Sequence, residues 1–178
     1  MILFLDRIKN KIKKMWYRSV FRAYTKNKKA DVQIEGKITL KNPNVRVGNS
    51  VTLYPNSVLW GDGEIVLGDN VDVGYGTVIF ASKKGGVAIG DDTCIAGQCY
   101  IIDMDHGTKK GINVNKQPNV VQEIVIGKDV WIGAGAKILR GSKIGDGAVI
   151  GANSVVKGEI PENAIAVGCP AKVVKYRE

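Results

Sequence analysis

Histidine is all but absent from this 178-residue chain, which has one, His106. Cysteine is scarce too. Cys94, Cys99 and Cys169 are odd in number and show no C-x-x-C spacing. A disulfide framework or a cysteine-built zinc site is therefore not expected, and a reducing cytoplasm fits better. No apolar run reaches the ~20 residues that span a bilayer. Residues 1–5 are apolar, but the basic residues follow them and no small-residue cleavage site comes next, so no signal peptide is expected. Acidic residues are nearly missing from the N-terminal segment. Residues 1–29 hold ten Lys/Arg against Asp6 alone, 10 − 1 = +9, which equals the net charge of the whole chain. The other 149 residues balance at 16 basic and 16 acidic. The basic character thus belongs to a terminal segment, and the length suits one domain with a real core.

What the sequence has in abundance is a period of six. Aliphatic residues return at Val47, Leu53, Leu59, then Leu67, Val73, Ile79, then Ile89, Ile95, Ile101, then Ile126, Ile132, Ile138, and finally Ile144, Ile150, Val156. The next position is commonly Gly or Ala, and the fifth is small or β-branched, as at Ser57, Thr77, Cys99, Ala136 and Ser154. A helix repeats near 3.6 residues and an amphipathic strand at two, so neither explains six. Three hexads per trio imply a triangular coil with one short strand per side. The aliphatic residue points inward and the small one fits the narrow corner. Stacked coils bury a continuous column and pair each other's backbone groups.

The breaks in phase all fall at one edge. Leu59 to Leu67 is eight residues, Ile79 to Ile89 ten and Ile101 to Ile126 twenty-five, which leaves insertions of 2, 4 and 19 after the third hexad of successive trios. A repeat protein that gathers its insertions on one edge works there. Ile34 and Leu40 suggest a partial leading coil. Residues 157–178 leave the phase at Glu159-Ile160-Pro161 and are expected to cap the far end. Leu5, Ile8, Ile12, Met15, Trp16, Val20 and Tyr24 recur at helical spacing. They predict a basic amphipathic helix within residues 1–29, followed by a β-helix domain over 30–178 with a protruding loop at 102–125.

His106 lies in that loop, in the run Ile101-Ile-Asp-Met-Asp-His106-Gly. Imidazole suits general-base work because its ordinary pKa is near neutral. A lone loop histidine is more often a plain surface residue. The sole histidine of the chain, at the start of its only long loop and on the edge of the insertions, points instead to catalysis. Asp103 and Asp105 are candidates to orient it or to bind acceptor hydroxyls. One histidine with two carboxylates is a weak metal set, so no metal is expected.

The hexads, the histidine-bearing loop and the stretch Ile126-Gly-Lys-Asp-Val-Trp-Ile-Gly-Ala-Gly-Ala-Lys-Ile-Leu139 resemble the hexapeptide-repeat acyltransferases, closest to the maltose, galactoside and capsular-polysaccharide O-acetyltransferases. The runs Ile144-Gly-Asp-Gly-Ala-Val-Ile-Gly-Ala-Asn-Ser-Val-Val156 and Val167-Gly-Cys-Pro-Ala-Lys-Val-Val174 continue the likeness. The resemblance implies an all-β left-handed parallel β-helix, although crossovers ordinarily turn right-handed. It implies a homotrimer with sites between neighbouring prisms, acetyl-CoA as co-substrate and the loop histidine as base. It carries acetyl-CoA contacts to Trp131, Ala134, Ala152, Lys157 and Lys172. Trp131 would pack along the cofactor, Ala134 and Ala152 would let pantetheine amides reach the backbone, and the lysines would meet phosphates as mobile charges. Read alone, each could equally be a corner filler, a turn residue or a solvated lysine. Many relatives carry Thr-Lys after the last Val where this chain has Lys157-Gly158.

Rival readings lack their residues. Carbonic anhydrases of this fold use three histidines, serine acetyltransferases carry a large helical domain, and sugar-nucleotide enzymes add a glycine-rich nucleotide motif. The expectation is acetyl transfer to a saccharide hydroxyl in the cytoplasm. The alternatives are a non-enzymatic scaffold or a non-sugar acceptor such as an antibiotic. For the basic helix the first expectation is packing on the prism with its charges in water. Contact with anionic lipid is the alternative, and no recognition motif supports nucleic acid.

Overall fold

The computed structural model describes residues 2–25 and 31–178, with helix side chains from Ile8 onward. The side chain of Leu5, the basic residues Lys26, Lys28 and Lys29, and the expected boundary at 29/30 lie outside the described residues. One helix, Ile2–Thr25, precedes a β-coil. Short strands fall in turn on three faces, and each pairs in parallel with the strand one coil above and one below.

The six-residue period is visible in the register. On the first face Ile34, Leu53, Val73, Ile95, Ile132, Ile150 and Ala166 stack directly over one another. All are buried. On the second face the column runs Leu40, Leu59, Ile79, Ile101, Ile138, Val156. On the third it runs Val47, Leu67, Ile89, Ile126, Ile144, Ile160. Full burial of such a side chain is worth about 1.5–3 kcal/mol, so the columns supply most of the cohesion. The small fifth residues are buried in the corners, and their polar atoms are satisfied there. Thr77 Oγ1 donates to the Ala96 carbonyl at 2.9 Å, and Ser142 Oγ to Leu139 at 2.6 Å. Tight corners demand left-handed backbone. Asn153 takes φ 56°. Gly135, one coil away, takes φ +70°, which strains most residues with a Cβ.

Two expectations change. The leading coil is complete, because Val32–Ile34, Thr39–Lys41 and Val45–Val47 occupy all three faces. Its hexads were hidden by an irregular spacing between Ile34 and Val47. The coil also continues past Glu159. Ile160 stacks on Ile144 after a corner shortened by two residues, and Ala166 stacks on Ile150. The cap begins only where Ala171–Tyr176 folds back antiparallel on Ala164–Gly168.

The helix rests on the first coil. Phe21 is 1% exposed within the core cluster and Tyr17 packs beside it. Lys14 is ion-paired with Glu35 of that coil.

Candidate active site

The coil is interrupted only between its second and third faces, at residues 62–63, 82–85 and 103–123. The third interruption carries His106. It opens as a short antiparallel ribbon, Met104 opposite Val121 and Asp105 opposite Val120. His106 follows directly and is exposed. Beyond it the loop closes on Gln117. That buried side chain accepts from Lys109 N at 2.7 Å and donates to the carbonyls of Lys109 and Ile112 at 3.1 and 2.7 Å. Gly107 is locked against it, since a Cβ there would meet Gln117 Cβ at 2.8 Å and the Pro118 carbonyl at 2.9 Å. A hollow of about 530 Å³ opens in this part of the loop, bounded by Gly107, Lys109, Ile112 and Asn119 among others.

Two carboxylates fix the root of the loop. Asp103 is fully buried. Its oxygens accept from the Ser82 backbone N–H at 2.9 and 3.0 Å and from Ser82 Oγ at 3.0 Å. Burial pushes its carboxyl above the ordinary value, against the pull of the Ser82 donors and the Gly86 N–H. Asp105 Oδ2 accepts from Arg140 Nε at 2.6 Å. Among the described residues neither carboxylate bonds His106. Of the two aspartates expected to orient the imidazole or hold an acceptor, Asp103 is bonded to Ser82 and Asp105 to Arg140.

Ser82 and Arg140 are absent from the sequence-based candidates. Their signal was position, for Ser82 opens the four-residue insertion and Arg140 follows Leu139 at the same edge of the next coil. Ile102 aligns with Phe80 in the register of the second face, which brings Ser82 level with the loop root.

The expected acetyl-CoA contacts lie elsewhere. Trp131 stands on the first face, 56% exposed, in register between Cys94 and Val149. Ala134 and Ala152 are exposed one coil apart at the corner between the first and second faces, where Asn153 N–H donates to the Ala134 carbonyl at 2.8 Å. Gly133 lets the two coils pack closely at that corner, since a Cβ there would sit 2.6 Å from Ala152 N. Lys157 is exposed at the His106 edge, directly after Val155–Val156. Lys172 is exposed on the terminal strand, opposite Val167. Within one chain, the whole second face separates His106 from the alanine corner. Among the described residues no group of three or more His, Cys, Asp or Glu side chains is arranged to hold a metal ion.

Residues 123–158 match the family described as bacterial transferase hexapeptide (six repeats). Over 124 residues the chain is 40% identical to a protein of Escherichia coli K12, provisionally named lipopolysaccharide biosynthesis O-acetyl transferase WbbJ, covering 65% of this chain and 62% of that one. It is also 40% identical over 124 residues to Rv3034c of Mycobacterium tuberculosis, provisionally named an acetyltransferase, covering 69% of this chain and 41% of that one. The chain thus spans about three-fifths of the first relative and two-fifths of the second. The fold is that of AntD, an N-acyltransferase from Bacillus cereus solved with dTDP and 3-hydroxybutyryl-CoA. The TM-score is 0.73 at 24% identity, over 83% of this chain and 80% of that one. The polySia-specific acetyltransferase NeuO superposes with a TM-score of 0.58 at 25% identity, over 83% of this chain and 74% of that one. Repeat, coil and relatives agree: residues 123–158 carry the repeat of the bacterial hexapeptide transferases, and the chain has the β-helix fold of the acyltransferases it resembles.

Proposed function

We propose that the protein is an acetyl-CoA-dependent O-acetyltransferase acting on a hydroxyl of a saccharide, with His106 as general base. The observation that carries this is the anchoring of the loop. The only histidine is exposed in the loop, one residue before Gly107 of the loop hollow, and the two aspartates just before it are each bonded to the coil. A solvated surface histidine needs no such fixing, whereas a base must be held in place before its substrate arrives.

In the reaction His106 takes the proton from the acceptor hydroxyl as its oxygen attacks the thioester carbonyl carbon of acetyl-CoA. The tetrahedral intermediate collapses with cleavage of the C–S bond. The proton on the imidazolium passes to the departing sulfur, which leaves CoA thiol and the acetyl ester. Trp131 and the open corner at Ala134 and Ala152 line the cofactor's arm, while Lys157 and Lys172 meet its phosphates. His106 and that corner are on different edges of one chain, so a complete site needs the loop of one chain against the first-face corner of another. A closed ring of three prisms meets this requirement at every interface. The enzyme works in the cytoplasm, where acetyl-CoA is made. The relatives named for lipopolysaccharide biosynthesis and for polySia favour a cell-surface glycan or its activated precursor as acceptor.

The test is thiol release from acetyl-CoA by the full chain against a panel of sugars, nucleotide-sugars and oligosaccharides, with calorimetry for acetyl-CoA binding. Acceptor-dependent release is expected. Absence of both release and binding would leave the scaffold reading in its place.

A further inference from the structure

The N-terminal helix has two apolar faces, and the prism uses one. Phe21 and Tyr17 lie against the first coil. At ~100° per residue Ile12 falls opposite Phe21, on the far side of the helix. Around it Ile8, Ile12, Met15, Trp16 and Val20 are all between 40% and 61% exposed. These five lie along the outer half of the helix, with Ser19 and Lys9 the polar residues among them. Lys13 borders this stripe on the flank next to Val20 and Lys11 on the other, and all three lysines are exposed. Of the charged residues in Ile2–Thr25, seven are Lys or Arg and one is acidic, Asp6.

We propose that this outer face docks the protein on an anionic lipid surface, with the stripe in the acyl boundary and the flanking lysines among the head groups. Charge decides the occupant. A second copy would set one cationic helix against another. A nucleic acid would satisfy the lysines and leave the apolar stripe in water. A surface of anionic lipid satisfies both, and an amphipathic helix with Lys on its flanks and Trp in its apolar face lies in that interface. Among the described residues no helix is long and apolar enough to cross a membrane, so the contact is a surface one. The apolar surface also continues from Trp16 and Val20 into a groove of about 510 Å³ over Ile38 and Leu40 of the first coil. That puts the upper end of the prism toward the bilayer. The proposal goes beyond acyl transfer and stands independently of it.

The test is flotation of the full chain with vesicles of phosphatidylcholine alone and of phosphatidylcholine with phosphatidylglycerol, at low and raised salt. The wild type is expected to bind anionic vesicles at least tenfold more tightly than neutral ones, and less tightly as salt rises. Ile12→Glu with Met15→Glu should lose binding at an unchanged melting temperature. Lys9→Glu with Lys13→Glu, on exposed positions, should lower it at least tenfold and serves if the first pair unfolds. Equal partitioning to both vesicles, or no binding, overturns the proposal. So does undiminished binding of the Ile12/Met15 variant. Sedimentation velocity showing that the same variant breaks a larger oligomer would assign the stripe to self-association and equally overturn it.

Discussion

Arg140 reaches across 35 residues of sequence to donate from Nε to Asp105 Oδ2 at 2.6 Å, and Asp105 is the residue before His106. The pair ties the longest excursion of the prism to the coil beneath it. It is partly exposed, with side-chain exposures of 25% and 44%, so its value for global stability is small, ~0–1 kcal/mol. Its effect belongs to the placement of the imidazole.

Arg140→Ala is therefore expected to lower kcat by roughly 10- to 100-fold, through misplacement of the base, while KM for acetyl-CoA and the melting temperature stay near wild type. Arg140→Lys should recover part of the loss, since it restores charge without the planar donor. Steady-state kinetics with thermal melts checks this, and an unchanged kcat in Arg140→Ala would remove the positioning role.

Asp103 offers a prediction in pH. Its carboxyl is raised in the folded chain, chiefly by burial. The folded state then holds the proton to higher pH than the unfolded state does. Between the unfolded value near 3.8 and the raised folded value, stability contributed by this group falls as pH rises. Asp103→Asn removes that slope. Urea unfolding of both proteins across the acidic range should show the wild type losing stability relative to the variant as pH rises through this window. The opposite sign would show that the Ser82 donors outweigh burial.

A shared site predicts complementation. Ala152→Trp should fill the open corner and raise KM for acetyl-CoA at least tenfold with little change in melting, because Ala152 is exposed. Mixed and re-assembled with His106→Ala, it should yield active interfaces, roughly a quarter of the wild-type number on statistical exchange in a ring. Activity no higher than that of the separate variants would place the whole site within one chain.

The hexad period made the fold legible, because an inward aliphatic residue every six positions has few other physical causes. Ile34 and Leu40 showed only part of the first coil, since its corners are irregular in length. The shortened corner at Glu159-Ile160 looked like the end of the repeat, yet stacking on Ile144 needs only the inward residue, and Ile160 supplies it. At the site, His106 stood out by rarity and by place. The partners of Asp103 and Asp105 did not, because Ser82 and Arg140 come level with them only through coil register, and neither residue type is unusual alone. The helical spacing of Ile8 to Val20 was equally plain, but that this stripe faces outward while Phe21 and Tyr17 face the prism follows from the packing.

The central claim, that His106 is the base for acetyl transfer, is tested most directly by acceptor-dependent thiol release with His106→Ala beside the wild type. A fall in kcat/KM of ~10²–10⁴ is expected, with acetyl-CoA affinity by calorimetry and melting temperature unchanged. Equal rates from the two proteins would contradict it.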